Sequence, residues 1–379
     1  MIRIVWVVLL GLATMPVGSS GAFAAQFKKA VYYRVGQGPY RVIAAQLTHS
    51  GNLDLAVADW LSNKVVVLLG RGDGTFQPSQ TFSVPRPLGI AAGDFNEDGN
   101  QDLVVVETNG TGGGALAVFL GDGKGGFKLS ASYPIGIESV NVVVADFNGD
   151  GHLDAAVTDQ GFERTPGDVI VFFGNGHGQL AKSSTFKMSQ GPVGIAAGDL
   201  NGGHVADLAV TQFSTGSVAI FMNDGTGHFQ KPVSYGAGGG EVTDVKIADL
   251  RHDGRNDLVI ANGSQGMVVL LNKGDGIFGK PAIYRPCLVK CSAGPEACTV
   301  ADFNLDGKLD VACSATIDDS YFFYGKGDGS FGTAIAIADT IKNQGGYGIA
   351  SGDFNHDGTP DLSIPIEGYG KVAILLNTQ

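Results

Sequence analysis

The chain has 379 residues, of which 59 are glycine, and it carries a formal net charge of −12. Hydrophobic residues make up 44% and charged residues 16%, a balance that predicts a folded protein with a substantial core and excludes a disordered chain. The acidic balance disfavours nucleic acid and anionic membranes as partners, because Lys and Arg are needed to replace phosphate counterions.

The first 24 residues have the features of a signal peptide. Arg3 supplies a positive start, residues 4–15 are apolar, and the Ala-Phe-Ala segment 22–24 provides a small-residue cleavage site. The apolar run is shorter than the roughly 20 residues that a membrane-spanning helix needs. The sequence therefore predicts a mature domain over residues 25–379, secreted to the extracellular space or the periplasm and without a membrane span.

A nine-residue acidic segment, called the Asp loop from here on, recurs seven times. Its copies start at residues 46, 94, 146, 199, 249, 302 and 353. Between Asp loops lies a Gly-rich turn that ends in an aromatic residue or a leucine, called the Gly turn. The turn-ending residues are Phe76, Phe127, Leu180, Phe229, Phe278 and Phe331. A period of about 50 residues indicates a repeat architecture. The regular placement of the aromatic residues predicts a core position, with sugar-stacking platforms as the alternative.

Each repeat holds four runs of strand length and no helical periodicity. Four-stranded antiparallel units repeated radially form a β-propeller, whereas a β-solenoid, the alternative, has shorter coils. The last repeat stops before its Gly turn, and Phe27 stands where a turn-ending aromatic residue would precede the first repeat. The sequence therefore predicts an all-β, seven-bladed propeller whose ring is closed by an N-terminal strand that completes the last blade.

The segments GDFNEDGNQDLVVV, ADFNGDGHLDAAVT and GDFNHDGTPDLSIP are similar to the repeats of the FG-GAP/VCBS family. Members of that family include the seven-bladed propeller of integrin α subunits and calcium-binding fungal propeller lectins. The resemblance implies that each Asp loop joins the innermost strand of a blade to the second strand and binds Ca²⁺. It does not imply one molecular role.

The chemistry of the Asp loop fits Ca²⁺, which prefers six to eight oxygen ligands. Side chains at positions 1, 3, 5 and 9 and the carbonyl at position 7 would supply oxygens, and the glycine at position 6 permits a sharp bend. A hairpin held by Asx turns is the alternative. Four loops keep the whole pattern and predict about four structural Ca²⁺ ions, with the ligands Asp94, Asn96, Asp98, Asn100, Asp102, Asp146, Asn148, Asp150, His152, Asp154, Asp302, Asn304, Asp306, Lys308, Asp310, Asp353, Asn355, Asp357, Thr359 and Asp361.

Three Asp loops depart from this pattern. In the loop that starts at Asp249, Arg251 stands at position 3, where its guanidinium is expected to stand in for the ion. The loop that starts at Asp199 has Gly203 at position 5. Metal occupancy is open in both of these loops. The first loop, which starts at Gln46, has lost most of its charge and is expected to be a plain turn.

Four cysteines, Cys287, Cys291, Cys298 and Cys313, lie close together in the sequence. In an exported chain an even number of cysteines indicates disulfides. Three connectivities exist. The favoured one joins Cys298 to Cys313 on adjacent strands and Cys287 to Cys291 in an insertion, and a zinc site is the alternative.

No nucleophile elbow, phosphate-binding motif or clustered Cys/His pattern is present in the sequence. We therefore expect a monomeric, non-catalytic binding or adhesion module for carbohydrate or an extracellular protein. The alternative is an extracellular polysaccharide lyase or hydrolase with its site in the central funnel. Candidate residues for that site come from irregular segments: Glu163, Arg164, Arg285, Lys290, Asp318, Asp319 and Tyr321.

Overall fold

A computed structural model describes residues 27–108, 113–161, 166–188, 191–286, 294–316, 320–337 and 346–379. Within these residues the chain forms 28 strands in seven four-stranded antiparallel sheets, and a single 3₁₀ turn, Glu367–Tyr369. The predicted all-β, seven-bladed propeller is confirmed. The predicted signal peptide lies outside the described residues. None of the described residues forms an apolar helix of the length that a bilayer crossing requires.

In each blade the strands follow one another from the central channel outwards. Blade 1 contains β2 Pro39–Ala45, β3 Asp54–Asp59, β4 Lys64–Gly70 and β5 Phe76–Ser83. Blade 2 contains β6 Pro87–Gly93, β7 Asp102–Glu107, β8 Ala115–Gly121 and β9 Phe127–Pro134. Blade 3 contains β10 Ser139–Ala145, β11 Asp154–Asp159, β12 Gly167–Gly174 and β13 Leu180–Met188. Blade 4 contains β14 Pro192–Gly198, β15 Asp207–Gln212, β16 Ser217–Phe221 and β17 Val233–Gly236.

Blade 5 contains β18 Val242–Ala248, β19 Asp257–Asn262, β20 Gly266–Leu270 and β21 Ala282–Tyr284. Blade 6 contains β22 Pro295–Ala301, β23 Asp310–Ala315, β24 Tyr321–Phe323 and β25 Ile335–Ala336. Blade 7 contains β26 Ala350–Gly352, β27 Asp361–Ile366, β28 Lys371–Leu375 and, as its outermost strand, β1 Val31–Arg34.

The ring is continuous at its innermost strands and at the chain ends. The inner strand β2 contacts both β6 and β26. Gly348 lies so close to blade 1 that a Cβ atom there would be 3.2 Å from the Cα of Arg41. In blade 7, β1 pairs antiparallel with β28, and Phe27 forms a bridge with Asn377 beyond the strand ends. The N-terminal strand is therefore hydrogen-bonded to the C-terminal strand within one blade.

The hydrophobic core lies between the blades. The second strand of each blade packs on both faces, so that in β3 every residue from Asp54 to Asp59 is buried. Each turn-ending aromatic residue packs against position 2 of the Asp loop in the preceding blade. Phe229 lies 5.7 Å from Phe147, and Phe76 lies 5.4 Å from Phe354, between ring centroids. The Gly-turn aromatic residues are therefore core residues, as predicted.

A disulfide joins two neighbouring strands of blade 6. Cys298 of β22 is paired in register with Cys313 of β23, and their Cα atoms are 4.0 Å apart. This predicted pairing is confirmed. Cys287 and Cys291 lie outside the described residues.

An ion pair crosses the central channel between blades that are not neighbours. Nη1 of Arg41, on β2, lies 3.7 Å from Oδ1 of Asp244, on β18, and Nζ of Lys246 lies 2.8 Å from Oδ2 of Asp244. The side chain of Asp244 is 1% exposed. Burial acts to raise the pKa of Asp244, but the charges of Lys246 and Arg41 outweigh it and hold the pKa below its ordinary value. The channel is therefore spanned by a buried carboxylate that depends on two cations.

Replacing that carboxylate is expected to be costly. Asp244→Asn leaves the mostly buried Arg41 without its counter-charge, and we expect the free energy of unfolding to fall by about 3 kcal/mol. The measurement is urea denaturation. Asp168→Asn is the matched control, because it breaks an ion pair with Lys187, whose side chain is 75% exposed, and should cost less than about 1 kcal/mol. Equal losses in the two variants would contradict the structural role of the channel pair.

Candidate functional site

All seven Asp loops lie on one face of the propeller, where each joins an inner strand to the second strand of its blade. Loops of neighbouring blades touch through positions 4 and 7. Nε2 of His49 lies 2.8 Å from Oδ1 of Asn100, and Nδ1 of His152 contacts Glu97. Nε2 of His356 makes the same kind of contact with Asn52 at 2.8 Å. These histidines are turn residues that link one loop to the next.

The aspartate at position 9 is fully buried in every blade: Asp54, Asp102, Asp154, Asp207, Asp257, Asp310 and Asp361. In blade 2 the backbone N–H of Phe95 donates to Oδ2 of Asp102 at 2.9 Å, and the N–H of Gly121 donates to Oδ1 at 2.8 Å. In the first loop, which lacks other carboxylates, the N–H of Gly70 still donates to Asp54 at 2.9 Å. Backbone hydrogen bonding therefore accounts for the recurrence of this aspartate, which by itself does not indicate a metal.

The carboxylates at positions 1 and 5 are held by N–H groups of the loop itself. In blade 2 the N–H of Gly99 donates to Oδ2 of Asp94 at 2.8 Å, and the N–H of Asn100 donates to Oδ1 of Asp98 at 2.8 Å. The other three intact loops repeat these contacts. Gly99 has a φ of 86°, the left-handed bend expected at position 6, and His204 takes a φ of 60° at that position in blade 4.

The buried carboxyl groups at position 9 of the intact loops have raised pKa values. Burial raises the pKa of Asp154, Asp310 and Asp361 to about 6, and neighbouring carboxylates of the same loops add to the rise. Burial likewise raises the pKa of Asp102. At the exposed position 5, by contrast, the N–H of Asn100 holds the pKa of Asp98 below its ordinary value. A cation among these oxygens would relieve the repulsion at position 9.

Blade 5 has such a cation in its own chain. The guanidinium of Arg251 donates to both carboxylate oxygens of Asp257, at 3.1 and 2.9 Å, and its Nη1 lies 2.9 Å from Oδ2 of Asp253. The group thus joins the carboxylates at positions 5 and 9, as predicted for a side chain that stands in for the ion. Its presence shows that the corner of an Asp loop accepts a positive charge.

Neutral groups fill the equivalent place in blades 1 and 4. The hydroxyl of Thr48 donates to Oδ2 of Asp54 at 3.0 Å, and the amide of Asn201 donates to Oδ1 of Asp207 at 3.3 Å. Within the residues that the structure describes, no three Asp, Glu, His or Cys side chains form a group that could hold a metal. The calcium prediction therefore stays a prediction, in which Asn and backbone oxygens must complete the ligand set.

The opposite face carries the open end of the central channel, called the channel mouth. A cavity of about 420 Å³ lies there, and its walls include Tyr40, Trp60, Glu138, Glu241, Glu296 and Tyr347. Sequence reasoning missed these residues. Their signal was a departure from the repeat, since Tyr40, Glu296 and Tyr347 stand in a column that elsewhere contains Leu88, Val140, Val193 and Thr243.

The residues predicted for an enzymatic site do not meet in this cavity. Tyr321 is a buried core residue of β24, 6% exposed, and so its prediction as a funnel residue is wrong. Arg285 is exposed and donates to Oε1 of Gln265 at 2.8 Å. Neither residue lines the channel mouth. Glu163, Arg164, Lys290, Asp318 and Asp319 lie outside the described residues.

Solved structures of other propellers resemble the whole described ring. A lectin of Agrocybe aegerita, described for its specific recognition of non-reducing terminal N-acetylglucosamine, has a TM-score of 0.58 at 18% identity, over 90% of this chain and 96% of that chain. BBS1N in complex with ARL6DN has a TM-score of 0.64 at 11% identity, over 94% and 98%. Sqt1 of Saccharomyces cerevisiae has a TM-score of 0.61 at 11% identity, over 92% and 99%. These likenesses show the fold alone.

Sequence comparison identifies the repeat itself. No curated protein sequence matches the chain. The model of the FG-GAP-like repeat matches residues 47–105, 94–157, 205–260, 249–313 and 302–363, which together cover more than half of the chain. The chain therefore belongs to the family of FG-GAP-like repeat proteins.

Proposed function

We propose that this protein is a secreted, monomeric, calcium-stabilised propeller that acts as a non-catalytic binding or adhesion module for carbohydrate or an extracellular protein. The observation that carries the proposal is the channel mouth, a concave site of about 420 Å³ with partly exposed aromatic and carboxylate side chains on a closed ring. Its volume falls in the range of about 300–1,000 Å³ that is usual for ligand sites. Propellers of similar fold bind N-acetylglucosamine or a protein partner, which supports a binding role here.

Secretion is supported by two features. The N-terminal segment has the pattern of a signal peptide, and the disulfide between Cys298 and Cys313 suits an oxidising compartment. Neither feature requires a particular ligand.

Calcium is supported by the oxygen-rich composition of the four intact loops and by Arg251, a cation at the equivalent corner of blade 5. In those loops the side chains at positions 1, 3, 5 and 9 and the carbonyl at position 7 would hold the ion. When bound, Ca²⁺ would supply positive charge next to buried carboxylates that repel one another. Its role would be structural, because it would stabilise the loop that joins the inner strand of a blade to the second strand.

Removal of calcium is expected to lower the melting temperature by several degrees. An ion that binds only the folded chain stabilises it by about 2.7 kcal/mol per site at one hundred times its Kd. Asp98→Ala, in an intact loop, should therefore reduce stability more in calcium than in chelator. Asp253→Ala is the matched control at position 5 of blade 5. It should cost the same in both conditions, because its partners are the guanidinium groups of Arg251 and Arg255. Thermal unfolding of the two variants measures the difference. An absence of any shift on chelation would contradict the calcium proposal.

The metal-free protein should lose stability as the pH rises from about 4 to about 7. Asp154, Asp310 and Asp361 have pKa values of about 6 when folded, against an ordinary value of 3.8. The folded state thus binds their protons more tightly, and this stability is present below pH 3.8 and lost as the pH passes 6. Bound calcium should abolish the loss, because it favours the ionised carboxylates. Melting curves across this pH range, with and without calcium, test the point, and a metal-free stability that climbs with pH would count against it.

Binding itself is tested with the purified protein on a glycan array and in a pull-down of extracellular proteins. We expect retention of one ligand class, with weaker retention after chelation because the ring loses stability. Turnover of a polysaccharide would favour the enzymatic alternative. Failure to retain any ligand in either format would contradict the binding role.

A further inference from the structure

Aromatic rings and carboxylates meet on one side of the channel mouth, where blades 5, 6, 7 and 1 contribute their inner strand ends. The rings of Tyr40 and Tyr347 stack with centroids 4.8 Å apart. Glu296 is the second residue of β22, and Glu241 directly precedes β18. All four residues line the same cavity. Rings beside carboxylates attract cations, because the face of a ring and a carboxylate are both negative.

The carboxylates on this side of the channel mouth act on one another and on Tyr347. Burial, and after it the charge of Glu241, raises the pKa of Glu296. Burial, together with the charges of Glu367 and Glu296, raises the pKa of Tyr347 to about 12. Within the described part of the chain the carboxylate of Glu241 has no hydrogen-bond or ion-pair partner, and Glu241 is exposed. The two glutamates therefore repel each other, and the charge of Arg41, which lowers the pKa of Glu296, offsets burial and the charge of Glu241 only in part.

Two arginines also line the channel mouth, and in the described part of the chain neither forms an ion pair with Glu241 or Glu296. Arg41 lines the cavity and forms an ion pair with the buried Asp244, and its Nε is buried without a hydrogen-bond partner among the described residues. Arg86 lies at the rim with its guanidinium 5.4 Å from the centroid of Trp60. The indole N–H of Trp60 donates in turn to Glu367 at 2.9 Å. At the rim, therefore, the guanidinium of Arg86 already lies over the ring of Trp60, which is hydrogen-bonded to the carboxylate of Glu367.

We propose that the channel mouth binds the protonated amine or guanidinium group of a ligand, between the carboxylates of Glu241 and Glu296 and beside the rings of Tyr40 and Tyr347. This inference rests on the proposed binding role and adds the place and the chemistry of recognition. The cation can belong to a lysine or arginine side chain of a protein or to an amino sugar. A neutral ligand of the same shape would leave Glu241 unpaired and its repulsion of Glu296 unrelieved, a penalty that discriminates between ligands in a partly buried site.

Matched pairs of small probes test the proposal on the full chain. N-acetyl-lysine methylamide is compared with its neutral analogue N-acetyl-norleucine methylamide, and glucosamine with glucose. The readout is the fluorescence of Trp60, the one tryptophan of the sequence outside the predicted signal peptide, with calorimetry as a second measurement. We expect each cationic probe that binds to bind at least about tenfold more tightly than its neutral partner. Binding of the lysine probe alone identifies a protein ligand, and binding of glucosamine alone an amino sugar.

Variants locate the site. Glu241→Gln and Glu296→Gln should each weaken binding of the cationic probe about tenfold, whereas Asp168→Asn, a carboxylate paired with Lys187 on the outer strands of blade 3, should leave binding unchanged. Thermal unfolding shows that both glutamine variants stay folded. Equal binding of charged and neutral probes, or unchanged binding in both variants, overturns the inference. If the array or the pull-down retains a ligand whose binding these variants do not affect, the binding role stands and the channel mouth is excluded.

Discussion

The buried aspartate at position 9 of each Asp loop is the contact on which the propeller depends. In every blade it accepts an N–H group from the end of the third strand, and in five blades it also accepts one from the start of the loop, as Asp310 does from Gly325 and Phe303. In blades 1 and 5 the N–H at position 2 donates instead to the end of the inner strand, at Ala45 and Ala248. Without it, two N–H groups in each of those five blades would be left unsatisfied at a buried corner, at about 1–3 kcal/mol each. The same corner directs the residue at position 2 into the core of the next blade, so that hairpin geometry and inter-blade packing are set together.

Burial of this aspartate has an electrostatic cost, which other groups in each Asp loop must offset. A fully buried carboxylate near other carboxylates is costly unless donors or cations compensate it. Blade 1 uses the hydroxyl of Thr48, blade 4 the amide of Asn201, and blade 5 the guanidinium of Arg251. The intact loops have no group of this kind at position 9, which is why we propose Ca²⁺ for them. All seven loops keep the aspartate at position 9, and they differ in the group that compensates its charge.

The fold was predictable from the sequence because the repeat imposes it, whereas the channel was not. Strand lengths, the core role of Phe229 and the pairing of Cys298 with Cys313 all follow from positions that recur in each unit. The ion pair of Arg41 and Asp244 joins blades far apart in sequence, and no local pattern marks it. Tyr321 looked functional because its segment is irregular, yet burial between blades determines its place. Residues at the channel mouth, such as Tyr40 and Tyr347, differ from blade to blade at one position of the repeat, so the sequence marks them only by their departure from the consensus.

The two faces of the ring have separate physical roles. An inner strand such as β22 begins at the channel mouth and ends at an Asp loop, seven residues later. At about 3.3 Å per residue the two ends are roughly 20 Å apart, which is more than twice the screening length of about 8 Å at physiological ionic strength. Positive charge bound at the loops would therefore act on the stability of the blades and hardly on the field of Glu241 and Glu296. Because the hydrogen bonds of the loops hold the hairpins on one face, the side chains of the opposite face can differ between blades without loss of the fold.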